Sequence, residues 1–137
     1  MTIHEKFIDW YSTNLEKTTE ADLSREIGAR ISNISNWLYG SSLPSMANLQ
    51  RLVDAFGSPF VFGEGHEIEG STTAEAIENL KAYKGLNQKE LAKLSCVSEA
   101  CLMDIKRGRS TPRVGVLEAL FGASECSYTV RPGGERE

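Results

Sequence analysis

Leu80-Lys81-Ala82-Tyr83-Lys84-Gly85-Leu86-Asn87-Gln88-Lys89-Glu90-Leu91-Ala92-Lys93 is the stretch that decides the fold. Ala76, Ile77, Leu80 and Tyr83 recur at helical spacing and Gly85 stops that helix. Asn87 caps a second helix, which runs through Glu90 and Leu91 to about Ser95. A tight turn follows at Cys96-Val97-Ser98. The third helix turns Leu102 and Ile105 inward and ends at Gly108, a position suited to a left-handed C-terminal cap. Pro112 marks the loop before a fourth helix containing Val116, Leu117 and Leu120.

The same plan occurs 68 residues earlier. Without a gap, Leu23 aligns with Leu91, Gly40 with Gly108, Ser42 with Ser110, Pro44 with Pro112, Leu49 with Leu117, Leu52 with Leu120 and Ala55 with Ala123. Apolar character also matches at Ile34 and Leu102, and at Trp37 and Ile105. Identities that fall on apolar and turn positions argue for two copies of one supersecondary unit. In the earlier copy Phe7, Ile8, Trp10, Tyr11 and Leu15 make the first helix, and Thr19 caps the second. Gly28-Ala29-Arg30 is the turn, and Ile34, Trp37 and Leu38 face inward from the third helix. Each copy ends in a β-like run, Phe60-Val61-Phe62 and Tyr128-Thr129-Val130. The reading is therefore mainly α, with a first unit at residues 1–63, a Gly-rich linker at 64–73, a second unit at 74–131 and a flexible tail at 132–137.

Composition narrows the function. At 40% apolar and 25% charged residues the chain is that of a globular protein. No apolar run reaches the roughly 18–20 residues needed to span a bilayer, and the start lacks the order of a secretion signal, so a cytoplasmic location is expected. Cys96, Cys101 and Cys126 stand in no zinc-like spacing, and His4 and His66 are isolated, so neither a metal nor a cofactor is expected. Gly63 to Gly70 match neither phosphate-loop pattern, and no Ser/His/Asp, Cys/His or paired-carboxylate set points to an enzyme. The net charge of −4 opposes nucleic-acid binding, yet the charge is uneven. Residues 79–113 carry eight basic side chains against three acids, whereas residues 17–51 carry four against three.

Leu80 to Lys93, with Gly108 and Pro112, strongly resembles the Cro and lambda-repressor type of helix-turn-helix domain. Thr19-Glu20-Ala21-Asp22-Leu23-Ser24, with Ile34, Trp37, Gly40 and Pro44, is more loosely similar to the same family. The resemblance implies two tandem five-helix-type bundles, each followed by a short strand, and a sequence-specific DNA-binding transcriptional regulator of repressor type, as phages, plasmids and bacteria carry. In such a unit the third helix lies in the major groove while the second crosses the backbone. Arg30, Ser32, Asn33 and Asn36 would then read bases, as would Ser98, Glu99 and Asp104, because Asn suits adenine, Arg guanine and a carboxylate cytosine. Thr19, Lys81, Gln88, Lys89, Lys106, Arg107, Arg109 and Arg113 would hold phosphates. Glu20 departs from the Gln that the family places at the start of the second helix, and Tyr39, Ser41 and Ser42 stand where basic residues are usual.

The expected partner is double-stranded DNA, bound by a homodimer or by one chain acting as a pseudo-dimer. Phe60, Val61 and Phe62 could pair with Tyr128, Thr129 and Val130 as an association ribbon, within one chain or between two. The acidic third helix of the second copy keeps a different function open, that of an antagonist which uses the scaffold to bind another protein.

Overall fold

A computed structural model describes residues 2–16, 18–40 and 42–133, and the chain is mainly helical with a small three-stranded sheet. The helices are α1 (Ile3–Leu15), α2 (Glu20–Ile27), α3 (Ile31–Leu38), α4 (Met46–Phe56), α5 (Thr73–Lys84), α6 (Gln88–Ser95), α7 (Glu99–Lys106) and α8 (Val114–Ala123). The strands are β1 (Phe60–Gly63), β2 (His66–Glu67) and β3 (Cys126–Val130). Two compact units divide the chain: the first runs to Phe60 and takes in Val130–Gly133, and the second is Val61–Thr129.

The helix boundaries repeat with the offset read from the sequence. Between α2 and α6, and between α3 and α7, both ends differ by 68, and α4 and α8 begin 68 residues apart. Local chemistry sets these boundaries. The Thr19, Asn87 and Ser98 side chains each accept a hydrogen bond from the backbone N–H three residues on, which satisfies a donor that the helix itself leaves unpaired. In α6 the Glu90 carboxylate also accepts from the Asn87 N–H at 3.0 Å, closing a reciprocal capping box. Gly85 ends α5 in the left-handed conformation.

In the first unit, α2 packs against α3 and α4, and α1 against α3. Its core is aromatic: Phe7 stacks on Tyr11 at 5.4 Å between ring centres, Trp10 meets Phe56 and Phe60 edge-on at 5.4 and 5.3 Å, and Tyr11 meets Trp37 at 6.5 Å. Gln50 of α4 donates to Asp54 and to the Arg131 carbonyl at 3.0 and 2.9 Å. The second unit packs α6 against α7 and α8 around a core that includes Leu80, Leu91, Leu117 and Leu120 together with Phe62 and Phe121.

Two features depart from the sequence-based expectation. Each unit was expected to be a five-helix type; four helices precede the strand in each, among the described residues. The reason is length: only three residues separate α4 from β1 and two separate α8 from β3. Second, the stretch read as a linker supplies β2, so the expected ribbon is a sheet of order β1-β3-β2. In it, β2 runs parallel to β3, with His66 opposite Cys126 and Glu67 opposite Ser127. The connection from β1 to β2 must pass from one edge of β3 to the other. Gly63 and Gly65 make that passage at φ 68° and 118°, where a Cβ would collide with the Cys126 and Glu125 carbonyls. Of the tail expected at 132–137, Pro132 and Gly133 are placed, and the Gly133 N–H donates to Asp54 at 2.8 Å; residues 134–137 lie outside the described residues.

The three-residue turns are equivalent in backbone and unequal in cost. Gly28 ends α2 at φ 71°, and Cys96 ends α6 at φ 60°, a left-handed conformation that costs a residue with a Cβ about 1–2 kcal/mol. Cys96→Gly should therefore raise stability by about 0.5–1 kcal/mol, and Gly28→Ala should lower it by a similar amount, both read from urea unfolding. In the first unit, Tyr11 is fully buried and its hydroxyl has no partner among the described residues; burial first, and the Glu20 carboxylate second, push its phenol well above the usual range. Tyr11→Phe should leave the unfolding midpoint unchanged or higher. A loss of about 1 kcal/mol, the worth of a made hydrogen bond, would contradict this.

Candidate nucleic-acid interface

The third helix of the first unit is built from residues that contribute little to helix stability. Ile31-Ser32-Asn33-Ile34-Ser35-Asn36-Trp37-Leu38 is drawn, apart from Leu38, from the weaker half of the helix-propensity scale. An eight-residue helix of this composition is marginal alone, so burial of its inner face holds it. Ile34 is 0% and Trp37 3% exposed, while Arg30, Ser32, Asn33 and Asn36 are all exposed. The Ser35 hydroxyl, half-buried, donates to Glu20 Oε2 at 3.2 Å, which links α3 to the start of α2. Glu20 therefore has a structural partner in Ser35. Arg30 is the N-cap of α3 and makes no side-chain cap, so its guanidinium is not committed to the helix end.

Sequence reasoning passed over Ile31 on this helix and noted Tyr39 only as standing where a basic residue is usual. Ile31 stands three residues before Ile34, a spacing that suggests the buried stripe, yet it is 51% exposed in the first turn. Tyr39, the C-cap, is 80% exposed. The first unit thus presents amide, hydroxyl and guanidinium groups with an apolar branched side chain among them.

In the second unit α7 is held by Leu102 and Ile105, 3% and 4% exposed, and its outward residues differ in kind. Glu99 is exposed and Asp104 half-buried. The Ser98 hydroxyl accepts from the Cys101 N–H at 3.1 Å, so it serves as a cap as well as an exposed surface group. Arg109 lies 3.9 Å from the Asp104 carboxylate, and its N–H donates to the Asp104 carbonyl at 2.8 Å. The acid on the third helix is thereby part-neutralised by the loop that follows it, though an exposed pair of this kind adds little to stability.

The expected phosphate contacts fall into three groups. Lys89, Lys106, Arg107, Arg109 and Arg113 are exposed, and Arg113 precedes α8 without capping it. Thr19 is exposed with its hydroxyl engaged as a cap, and Gln88 opens α6 half-buried. Lys81 differs: its side chain is only 11% exposed and its ammonium sits 2.9 Å from Glu78. Lys81, Gln88 and Lys106 line a cleft of about 10 Å³ together with Ile77 and Ile105, which has room for little more than one water. Among the strand residues, Phe60, Phe62, Tyr128 and Val130 are buried, Val61 is exposed and Thr129 half-buried. Tyr128 stacks on Phe121 at 5.5 Å and donates to the Gly70 carbonyl at 3.4 Å.

Among the described residues no group of three or more His, Cys, Asp or Glu could hold a metal ion, and no helix is long and apolar enough to cross a membrane. Cys126 is buried, which pushes its thiol up and disfavours the reactive thiolate. Comparison with protein-family models, with curated proteins and with solved structures finds no match.

Proposed function

We propose that the chain is a sequence-specific DNA-binding transcriptional regulator built on two tandem helix-turn-helix units of the Cro and lambda-repressor type. The observation that carries the reading is α3, whose inner face is closed by Ile34 and Trp37 while Arg30, Ser32, Asn33 and Asn36 stand in solvent. Those side chains offer the donor and acceptor pairs that match base edges in a major groove. The repeat supports it, since a second short helix of equal length follows an equivalent left-handed turn 68 residues on. So does the exposed basic run from Lys106 to Arg113, which supplies the sequence-independent attraction to phosphates.

In this reading the units divide the work: the first reads bases, and the second anchors the backbone through Lys89, Lys106, Arg107, Arg109 and Arg113. A single chain then carries two unlike heads, so a monomer would protect an asymmetric site and a homodimer a longer palindrome. No cofactor enters, and the cytoplasm is the compartment where such a regulator works.

A second reading, that of an antagonist of another protein, is favoured by the acidic Glu99 on α7, the exposed Ile31 and Tyr39 on the first unit, and the net charge of −4. DNA selected from a random pool by the full chain separates the two. Binding of selected and scrambled duplexes is then compared by gel shift at two salt concentrations. Asn36→Ala should reduce the preference for the selected duplex by roughly tenfold, within the about 1–3 kcal/mol of a bidentate base contact. Arg107→Ala should weaken both duplexes alike and lower the salt slope by about one. Equal effects of the two changes on both duplexes would refute the division, and a lack of any salt-sensitive binding would favour the antagonist.

A further inference from the structure

Ile31 is the residue on the third helices whose exposure packing does not explain. It retains 51% of its surface in water, although α3 is attached through Ile34 and Trp37 and has no structural need of a third apolar group there. Helix propensity does not account for it either, since a branched side chain loses rotamer freedom in a helix. Its neighbours Arg30, Ser32 and Asn33 are exposed and polar, and the Arg30 side chain does not cap the helix. A single apolar branched group set among base-reading side chains matches one feature of a major groove, the C5-methyl of thymine, which is the apolar element of that groove's pattern.

We propose that Ile31 is a specificity-determining residue that selects thymine through its methyl group, an inference that rests on the DNA-reading function of α3. The matching residue of the second unit, 68 positions on, is Glu99, exposed in the first turn of α7. A carboxylate gains nothing from a methyl and accepts a hydrogen bond from the cytosine amino group instead. The thymine contact therefore belongs to the first unit alone. Each chain bound should show one thymine whose methyl matters through Ile31, and the second unit should show none at its equivalent position. Exposure of Ile31 also makes it a safe site for substitution, since its truncation opens no cavity in the core.

The test uses the full chain and duplexes first selected from a random pool. Each thymine of the selected site is replaced in turn by uracil, which removes the methyl and leaves every hydrogen-bonding group in place. Wild-type protein should lose roughly three- to fourfold in affinity at one such position per bound chain, the worth of burying one methyl. Ile31→Ala should bind the thymine and uracil duplexes equally at that position, and Ile31→Val should keep part of the difference. Unfolding of both variants by urea checks that they remain folded. If a sequence is selected but no uracil replacement separates wild type from Ile31→Ala, the thymine contact is overturned while the DNA-reading function stands. If no sequence is enriched at all, both fall. Retention by Ile31→Ala of the full thymine preference at a position would likewise assign that methyl to another side chain and overturn the inference.

Discussion

Each third helix is fastened to its unit by two side chains one turn apart, Ile34 and Trp37 in the first and Leu102 and Ile105 in the second. That attachment is the constraint on which the rest depends. An eight-residue helix fixed along so narrow a seam leaves its outer face in water, and the surface it leaves is what the protein has to work with. In the first unit the seam is reinforced from α1, where Tyr11 meets Trp37 within an aromatic cluster. In the second unit both seam residues are aliphatic, and α7 packs against α6. Burial thus decides orientation, and orientation decides which residues are offered to a partner.

The turn between the second and third helices is the companion constraint. Three residues suffice only if the last helical turn can leave in the left-handed conformation, which Gly28 adopts freely and Cys96 adopts against its Cβ. The second unit therefore stores a small strain at the point where the first has none. It compensates locally, with a complete Asn87–Glu90 capping box at the start of α6, where α2 has the single Thr19 cap. The sheet obeys a similar rule of close approach, since a chain crossing over the first residues of β3 needs Gly63 and Gly65.

Much of this was legible in the residues. Gly85, Asn87 and Thr19 mark helix ends by mechanisms that act within a few residues, and the 68-residue offset appears in the helix boundaries as it does in the sequence. What was not legible depends on contacts far apart in the chain. His66 and Glu67 look like linker because their only strand signal is β3, about sixty residues away. Ile31 drew no notice because spacing alone does not say where a seam begins. Lys81 belongs by sequence to the basic run, but a Glu one turn earlier and the cover of its own unit draw it in. The candidate site was visible as a list of side chains; which of them are exposed, capped or paired required the fold.

The central claim is that the outer face of α3 meets the bases of DNA. Site-specific photo-cross-linking tests it most directly, with a photoreactive residue placed at Asn33, and in a second protein at Thr13, an exposed residue of α1. Mixed with the selected duplex, the protein labelled at position 33 should cross-link to bases, at positions that agree with the selected sequence, and the protein labelled at position 13 should not. Equal labelling from both positions, or bound DNA with no base adduct from position 33, would contradict the account.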